Sequence, residues 1–209
     1  MIITKTRKIQ AYLNSFFWLF STYLLAPYFY CLIFLRRKNA PLKILVIQPA
    51  KIGDLVCTTP VFREIKKKFP TCFLSAMVID KTKDILRNNP YLDEIISLTD
   101  FTGITGKIRL IRKLRKEKYD WVFVMLPNSF NNIIGFWSLI PNRVTTTYKG
   151  AGEIIALTSI FNNYHLEYQR HTLVLRHYLN LLKFIGIHEF SEKKEVFISP
   201  EEEIRAQEF

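Results

Sequence analysis

Lys43-Ile-Leu-Val-Ile-Gln-Pro-Ala-Lys-Ile-Gly-Asp-Leu-Val-Cys-Thr-Thr-Pro60 is the stretch on which the fold turns. It opens with a short β-branched apolar run, 43–49, that reads as a buried parallel strand. Residues 50–55 read as a loop with one glycine, and residues 58–69 as a helix. Thr59-Pro60 starts that helix, Pro70 stops it, and Val61, Ile65 and Phe69 share its apolar face. A strand, a glycine corner and a helix make the first half of a βαβ unit.

Outward from that corner the alternation continues. Strands are expected at 72–79, 94–98 and 121–126, with a last one at 195–198. Helices are expected at 81–87, 107–118 (Ile108, Ile111 and Leu114 or Arg115 inward), 131–139, 151–161 and 170–185, the last closed by Gly186. This implies an α/β domain over 43–200 with a Rossmann-like, doubly wound parallel sheet, whose ligand crevice lies beyond the carboxyl ends of the strands. Two segments therefore carry the functional reading: Gln48 to Thr59, and Pro127 to Asn132.

The first places Lys51, Gly53, Asp54, Thr58 and Thr59 at a strand-to-helix corner. Gly53 permits a tight bend or positive φ. A carboxylate at Asp54, held ionised by a helix N-terminus, suits a general base facing a sugar hydroxyl. On residue type alone, capping is the commoner use of such an aspartate. Thr58 and Thr59 can bond sugar or phosphate oxygens, and Lys51 can counter an acidic group. Neither a Walker A loop nor the three-glycine dinucleotide fingerprint is present.

Upstream, Ala11 to Leu35 runs 25 residues without a charge, long enough to cross a bilayer. Lys5, Arg7 and Lys8 precede it, Arg36, Arg37 and Lys38 follow it, and no acidic residue occurs before Asp54. The basic flank suits an anionic lipid surface. Residues 1–42 thus read as a membrane segment that either crosses once or, broken near Pro27, dips in and returns; a helix packed on the domain is the plainer alternative. Of the net charge of +12, this flank and Lys43 supply seven units, so the remainder is only mildly basic and a nucleic-acid partner is not expected. Three unpaired-looking cysteines and four scattered histidines suggest neither a disulfide framework nor a metal site.

The stretch Ile44 to Arg63 closely resembles the opening of glycosyltransferase family 9, the ADP-heptose:lipopolysaccharide heptosyltransferases. The resemblance continues through Phe69-Pro70, Asn89-Pro-Tyr-Leu-Asp-Glu-Ile96, Tyr119-Asp-Trp-Val-Phe-Val-Met-Leu-Pro-Asn-Ser-Phe130, Ile140-Pro-Asn-Arg-Val144 and His177-Tyr-Leu-Asn-Leu-Leu-Lys-Phe-Ile-Gly186. It implies the N-terminal, acceptor-side domain of a GT-B fold and Asp54 as catalytic base of an inverting, metal-independent transfer. Asn128 and Ser129 would line the acceptor crevice, or equally cap the helix after them; Arg143 would fix a turn. It further implies a nucleotide-sugar donor (ADP-heptose by family default), no cofactor, a lipid-linked saccharide acceptor, and a place on the cytoplasmic face of the bacterial inner membrane. Residues 201–209 match the linker into the family's donor domain. The expectation is that the donor half lies on a separate segment or chain, and that these 209 residues alone turn over little. The alternative expectation is a membrane-associated glycan-binding module, or an inactive fragment, without catalysis.

Overall fold

The computed structural model describes residues 2–36, 42–199 and 203. Side chains of residues 2–9 and 11 are outside that description, as are the expected donor-domain linker (apart from 203) and the basic residues Arg37 and Lys38.

In chain order, helix α1 (Ile2–Phe34) precedes strand β1 (Lys43–Ile47), helices α2 (Ile52–Val56) and α3 (Thr59–Lys68), and strand β2 (Phe73–Val78). Helix α4 (Asp80–Lys83), strand β3 (Glu94–Ser97), helix α5 (Gly103–Glu117), strand β4 (Trp121–Val124) and helix α6 (Ser129–Trp137) follow. Strand β5 (Asn142–Thr147), helix α7 (Glu153–Ser159), strand β6 (Tyr164–Glu167) and helix α8 (Val174–Asn180) complete the set.

The sheet order is β3-β2-β1-β4-β5-β6, and every pairing is parallel. That is the doubly wound order, with its switch point between β1 and β4. There Ile44 pairs with Trp121 and Ile47 with Val124. The two segments singled out from the sequence therefore leave adjacent strand ends.

The central strands β1, β2 and β4 bury both faces, which is why their apolar runs are unbroken, whereas the edge strand β6 alternates half-buried with exposed residues. One face packs Val61, Phe62 and Ile65 of α3 with Leu175 and Leu179 of α8. The other packs Leu110, Ile111 and Leu114 of α5 and Ile133, Ile134 and Phe136 of α6. Helix α6 approaches the sheet closely at Gly135, where an added Cβ would stand 2.7 Å from Val122 Cγ1.

Several expectations need correction. Residues 52–56 are helical rather than loop, because Leu55 is buried beneath them and backbone bonds Leu55 N to Lys51 O and Cys57 N to Gly53 O close the turn. Ile108 is exposed and Leu110 takes its place inward on α5. The expected helix 170–185 is shorter, beginning at Val174 and tightening to a 3₁₀ turn over Leu181–Ile185 before Gly186 at φ 82°. Residues 195–198 add no strand; Glu195 N is taken by Thr59 Oγ1, so that segment is held by α3 side chains instead of a sheet edge. Strands β5 and β6 were not anticipated. Buried threonines Thr145 and Thr146 disguise β5 as polar, yet Thr145 Oγ1 bonds Asn132 Oδ1 at 2.9 Å and Thr146 Oγ1 lies 3.0 Å from His177 Nε2.

Helix α1 runs unbroken through Pro27, so the bend expected near residues 22–26 is absent. One face packs on the domain. Trp18 and Phe29 are buried, each edge-on to Trp137 with centroids 5.0 and 5.1 Å apart. Tyr12–Phe34 is long and apolar enough to cross a membrane by length and composition. The helix packed on the domain, set out as the plainer alternative, describes this inner face only.

Candidate active site

The crevice is built at the carboxyl ends of β1, β4 and β5. Chain leaving β1 is steered by Gln48, fully buried, whose Nε2 donates to Thr58 Oγ1 at 2.8 Å. Thr58 Oγ1 in turn donates to Asp54 O at 2.9 Å. These bonds close the α2–α3 corner and present the first turn of α2 outward. Asp54 is half-buried there. No hydrogen bond or ion pair to its carboxylate is found among the described residues, and it caps neither helix: the N-cap residues are Lys51 and Thr58. The capping use of this aspartate is thereby removed.

Two phenols feel the Asp54 charge. Tyr148, just past β5, is raised above the usual tyrosine range by burial, then by Tyr168 and Asp54. Tyr178, on α8, is pushed up to about 12, chiefly by burial, with Asp54 adding to the rise. Both stay protonated at neutral pH; Tyr148, half-buried and lining a cleft, can donate to a ligand oxygen, whereas Tyr178 is buried in the core beneath. Neither tyrosine was singled out from sequence. Tyr148 follows the disguised strand β5 and precedes Gly150 and Gly152, a turn-rich signal that becomes legible only once β5 is known.

Lys51 and Gly53 are exposed beside Asp54. Gly53 lacks the positive φ anticipated for it, and an added Cβ there would meet nothing within 4 Å. Thr58 and Thr59 are buried, and their hydroxyls bond Asp54 O and Val56 O. The structure corrects their expected role: they set the corner and leave no exposed group for a sugar or phosphate.

At the end of β4, Asn128 caps α6. Its Oδ1 accepts from Phe130 N and Asn131 N at 2.9 and 2.8 Å. Capping and lining coexist, because Asn128 and Ser129 also line a cavity of about 500 Å³ with Tyr12 and Ser15 of α1 and Gly152 to Ile155 at the start of α7. Asp54 does not line this cavity. The link runs through Tyr148, which lines a narrower cleft of about 80 Å³ together with Ile155, a residue common to both spaces.

Arg143 is buried, 1% exposed, with Nε on Phe161 O and one Nη on Ile140 O and Pro141 O. Burial pulls its pKa down to about 10. It pins the turn between α6 and β5 and lines neither of the two cavities described above, as the turn-fixing reading required.

No family model matches the chain. Individual relatives do. Lipopolysaccharide heptosyltransferase 2 of Salmonella typhimurium is 33% identical over 113 residues, 52% of this chain and 32% of that protein. Its Escherichia coli counterpart is 30% identical over the same length and shares. This chain is a relative of the family 9 heptosyltransferases. Among solved structures, the glycosyltransferase family 9 protein of Veillonella parvula superposes with a TM-score of 0.69 at 21% identity, covering 83% of this chain and 50% of that one. E. coli ADP-heptose heptosyltransferase II gives 0.63 at 18% identity, covering 80% and 50%. These likenesses carry the α/β fold of GT-B glycosyltransferases. The match spans about a third of the curated relatives' length.

Proposed function

We propose that this heptosyltransferase-like chain provides the acceptor-binding domain of a glycosyltransferase, and that Asp54 is its general base. The observation that carries the reading is the Asp54 carboxylate, half-exposed and free of hydrogen bonds and ion pairs among the described residues, beside the β1–β4 switch point. In this reading Asp54 removes the proton from an acceptor hydroxyl as its oxygen attacks the anomeric carbon of a nucleotide-sugar. The nucleotide diphosphate leaves from the opposite face, so the configuration inverts in a single displacement. Lys51 faces the phosphate of a lipid-linked saccharide. The protonated phenol of Tyr148 donates to a sugar oxygen, and Asn128 and Ser129 line the farther part of the acceptor path.

The donor is a nucleotide-sugar, ADP-heptose by the names of the relatives, with no metal or cofactor called for. The acceptor is a lipopolysaccharide-type glycan at the cytoplasmic face of the inner membrane. Donor contacts come from a GT-B donor half, on the same polypeptide or a separate chain. Titration of a phosphorylated heptose-acceptor saccharide against isotope-labelled protein tests the reading. Amide shifts should cluster at Lys51 to Asp54, Asn128 and Tyr148; shifts confined to any other face would overturn it. Acceptor binding with transfer indifferent to Asp54 would instead favour a non-catalytic glycan-binding module.

A further inference from the structure

Helix α1 is apolar around its whole circumference, yet the domain uses only one face. Trp18, Leu19, Thr22 and Phe29 are buried against it, whereas Leu13, Phe16, Phe20, Leu24 and Tyr28 on the outer face are 60–69% exposed. These outer residues recur every three or four positions, so they form one stripe. A stripe of aromatic and leucine side chains this long exceeds what a soluble surface normally leaves to water.

The inner contacts show how α1 sits. Ser15 Oγ meets Ser129 Oγ at 3.1 Å, Trp137 Nε1 donates to Thr22 Oγ1 at 2.8 Å, and Arg36 donates to Leu139 O at 2.7 Å. From Ser15 to the end of α1 at Phe34 is about 29 Å of helix, close to the whole thickness of a bilayer's hydrocarbon, about 30 Å. A crossing helix that kept these contacts would carry into the hydrocarbon Lys107, which stands over the Phe130 ring at 4.4 Å, and Arg115, which stands over Phe29 at 5.1 Å. Charges at that depth are strongly disfavoured. Crossing and packing exclude one another.

We infer that α1 does not span a bilayer but lies flat on an anionic lipid surface, its Phe16–Phe20–Leu24 stripe sunk to the acyl boundary and its Trp18–Phe29 face holding the domain against the headgroups. Charge selects the occupant. The apolar run is flanked by Lys5, Arg7 and Lys8 and by Arg36, Arg37 and Lys38, with no acidic residue before Asp54. Anionic headgroups neutralise both clusters. A second copy of the chain, laid on this stripe in either direction, would set cations against cations. The same helix contributes Tyr12 and Ser15 to the 500 Å³ cavity, so docking places that cavity at the lipid boundary. The inference stands apart from the transferase reading.

Flotation of the full chain with vesicles tests it. The protein should float with phosphatidylglycerol-containing vesicles and at least tenfold less with pure phosphatidylcholine. Replacing outer-face residues together (Phe16→Glu with Phe20→Glu) should cut flotation at least tenfold at an unchanged unfolding temperature. Spin labels placed singly at 13, 16, 20, 24 and 28 should report one shared shallow depth. A depth that changes steadily from 13 to 28 would establish a crossing helix and overturn the inference. So would equal flotation on uncharged vesicles, or a dimer in solution that ignores vesicles.

Discussion

The indole Nε1 of Trp137 donates to Thr22 Oγ1 across 2.8 Å, joining two helices 115 residues apart in the chain. Thr22 is fully buried and its hydroxyl donates onward to Trp18 O. This is a polar link within a mostly aromatic seam between α1 and α6. Thr22→Val keeps the shape and strands the indole N–H. The expected cost is about 1–3 kcal/mol, seen as a lower urea midpoint. Trp137→Phe should cost a similar amount through the same bond, and the double variant less than the sum of the two. Full additivity would mean that the hydrogen bond does not couple the helices.

Asp54→Asn removes the carboxylate's basicity at constant size. In the complete transferase, kcat should fall by roughly 10²–10⁴, the range of a lost general base, while acceptor affinity stays within about threefold, since the amide still fits the open site. Single-turnover kinetics beside an acceptor titration separate the two effects. An unchanged kcat removes Asp54 from the chemistry.

Gly53 is a glycine that the fold itself does not require. It sits inside α2 without positive φ, and a methyl group there meets nothing. Gly53→Ala should therefore raise stability by about 0.5–1 kcal/mol and yet weaken acceptor binding, if substrate approaches the backbone at this turn. Thermal unfolding and an acceptor titration read the two effects separately. Improved stability with unaltered binding would place the substrate elsewhere.

Gly135→Ala is the opposite case. The new Cβ would press on Val122 Cγ1 at 2.7 Å and Arg143 Cγ at 3.3 Å inside the β4–β5–α6 packing. The expected loss is roughly 1–3 kcal/mol, read as a drop in unfolding midpoint with unchanged slope.

His177 is buried against Tyr168 and Tyr178 and bonded to Thr146, and burial lowers its pKa to about 4. The unfolded chain therefore binds this proton more readily than the folded one. The contribution to stability is complete above about pH 6.5, the unfolded value, and is lost as pH falls toward 4, by up to about 3 kcal/mol. His177→Gln should flatten the urea-midpoint profile across that window. An identical slope in the variant would assign the acid sensitivity to other groups.

The parallel sheet and the corner after its first strand were legible because a buried parallel strand must be continuously apolar and must end in a turn. Ile44 to Ile47, Phe73 to Val78 and Trp121 to Val124 satisfy that locally. Strand β5 escaped because its inward threonines are polar by type and become core residues only when Asn132 and His177, from two other elements, supply their hydrogen bonds.

Asp54 announced itself through its neighbours in the chain. Tyr148 and Tyr178 did not, because nothing local ties them to residue 54. The same local chemistry made Thr58 and Thr59 look available to a ligand until Gln48 and Glu195 were seen to occupy them.

The sequence alone determined that residues 11–35 are apolar and flanked by cations, and that a carboxylate follows the first strand. Tertiary structure decided which face of α1 is spent on the domain, that Pro27 does not break it, and what surrounds the carboxylate. Composition and period are properties of neighbouring residues. Burial, hydrogen-bond satisfaction and exposure depend on partners that the chain brings together from a hundred residues away.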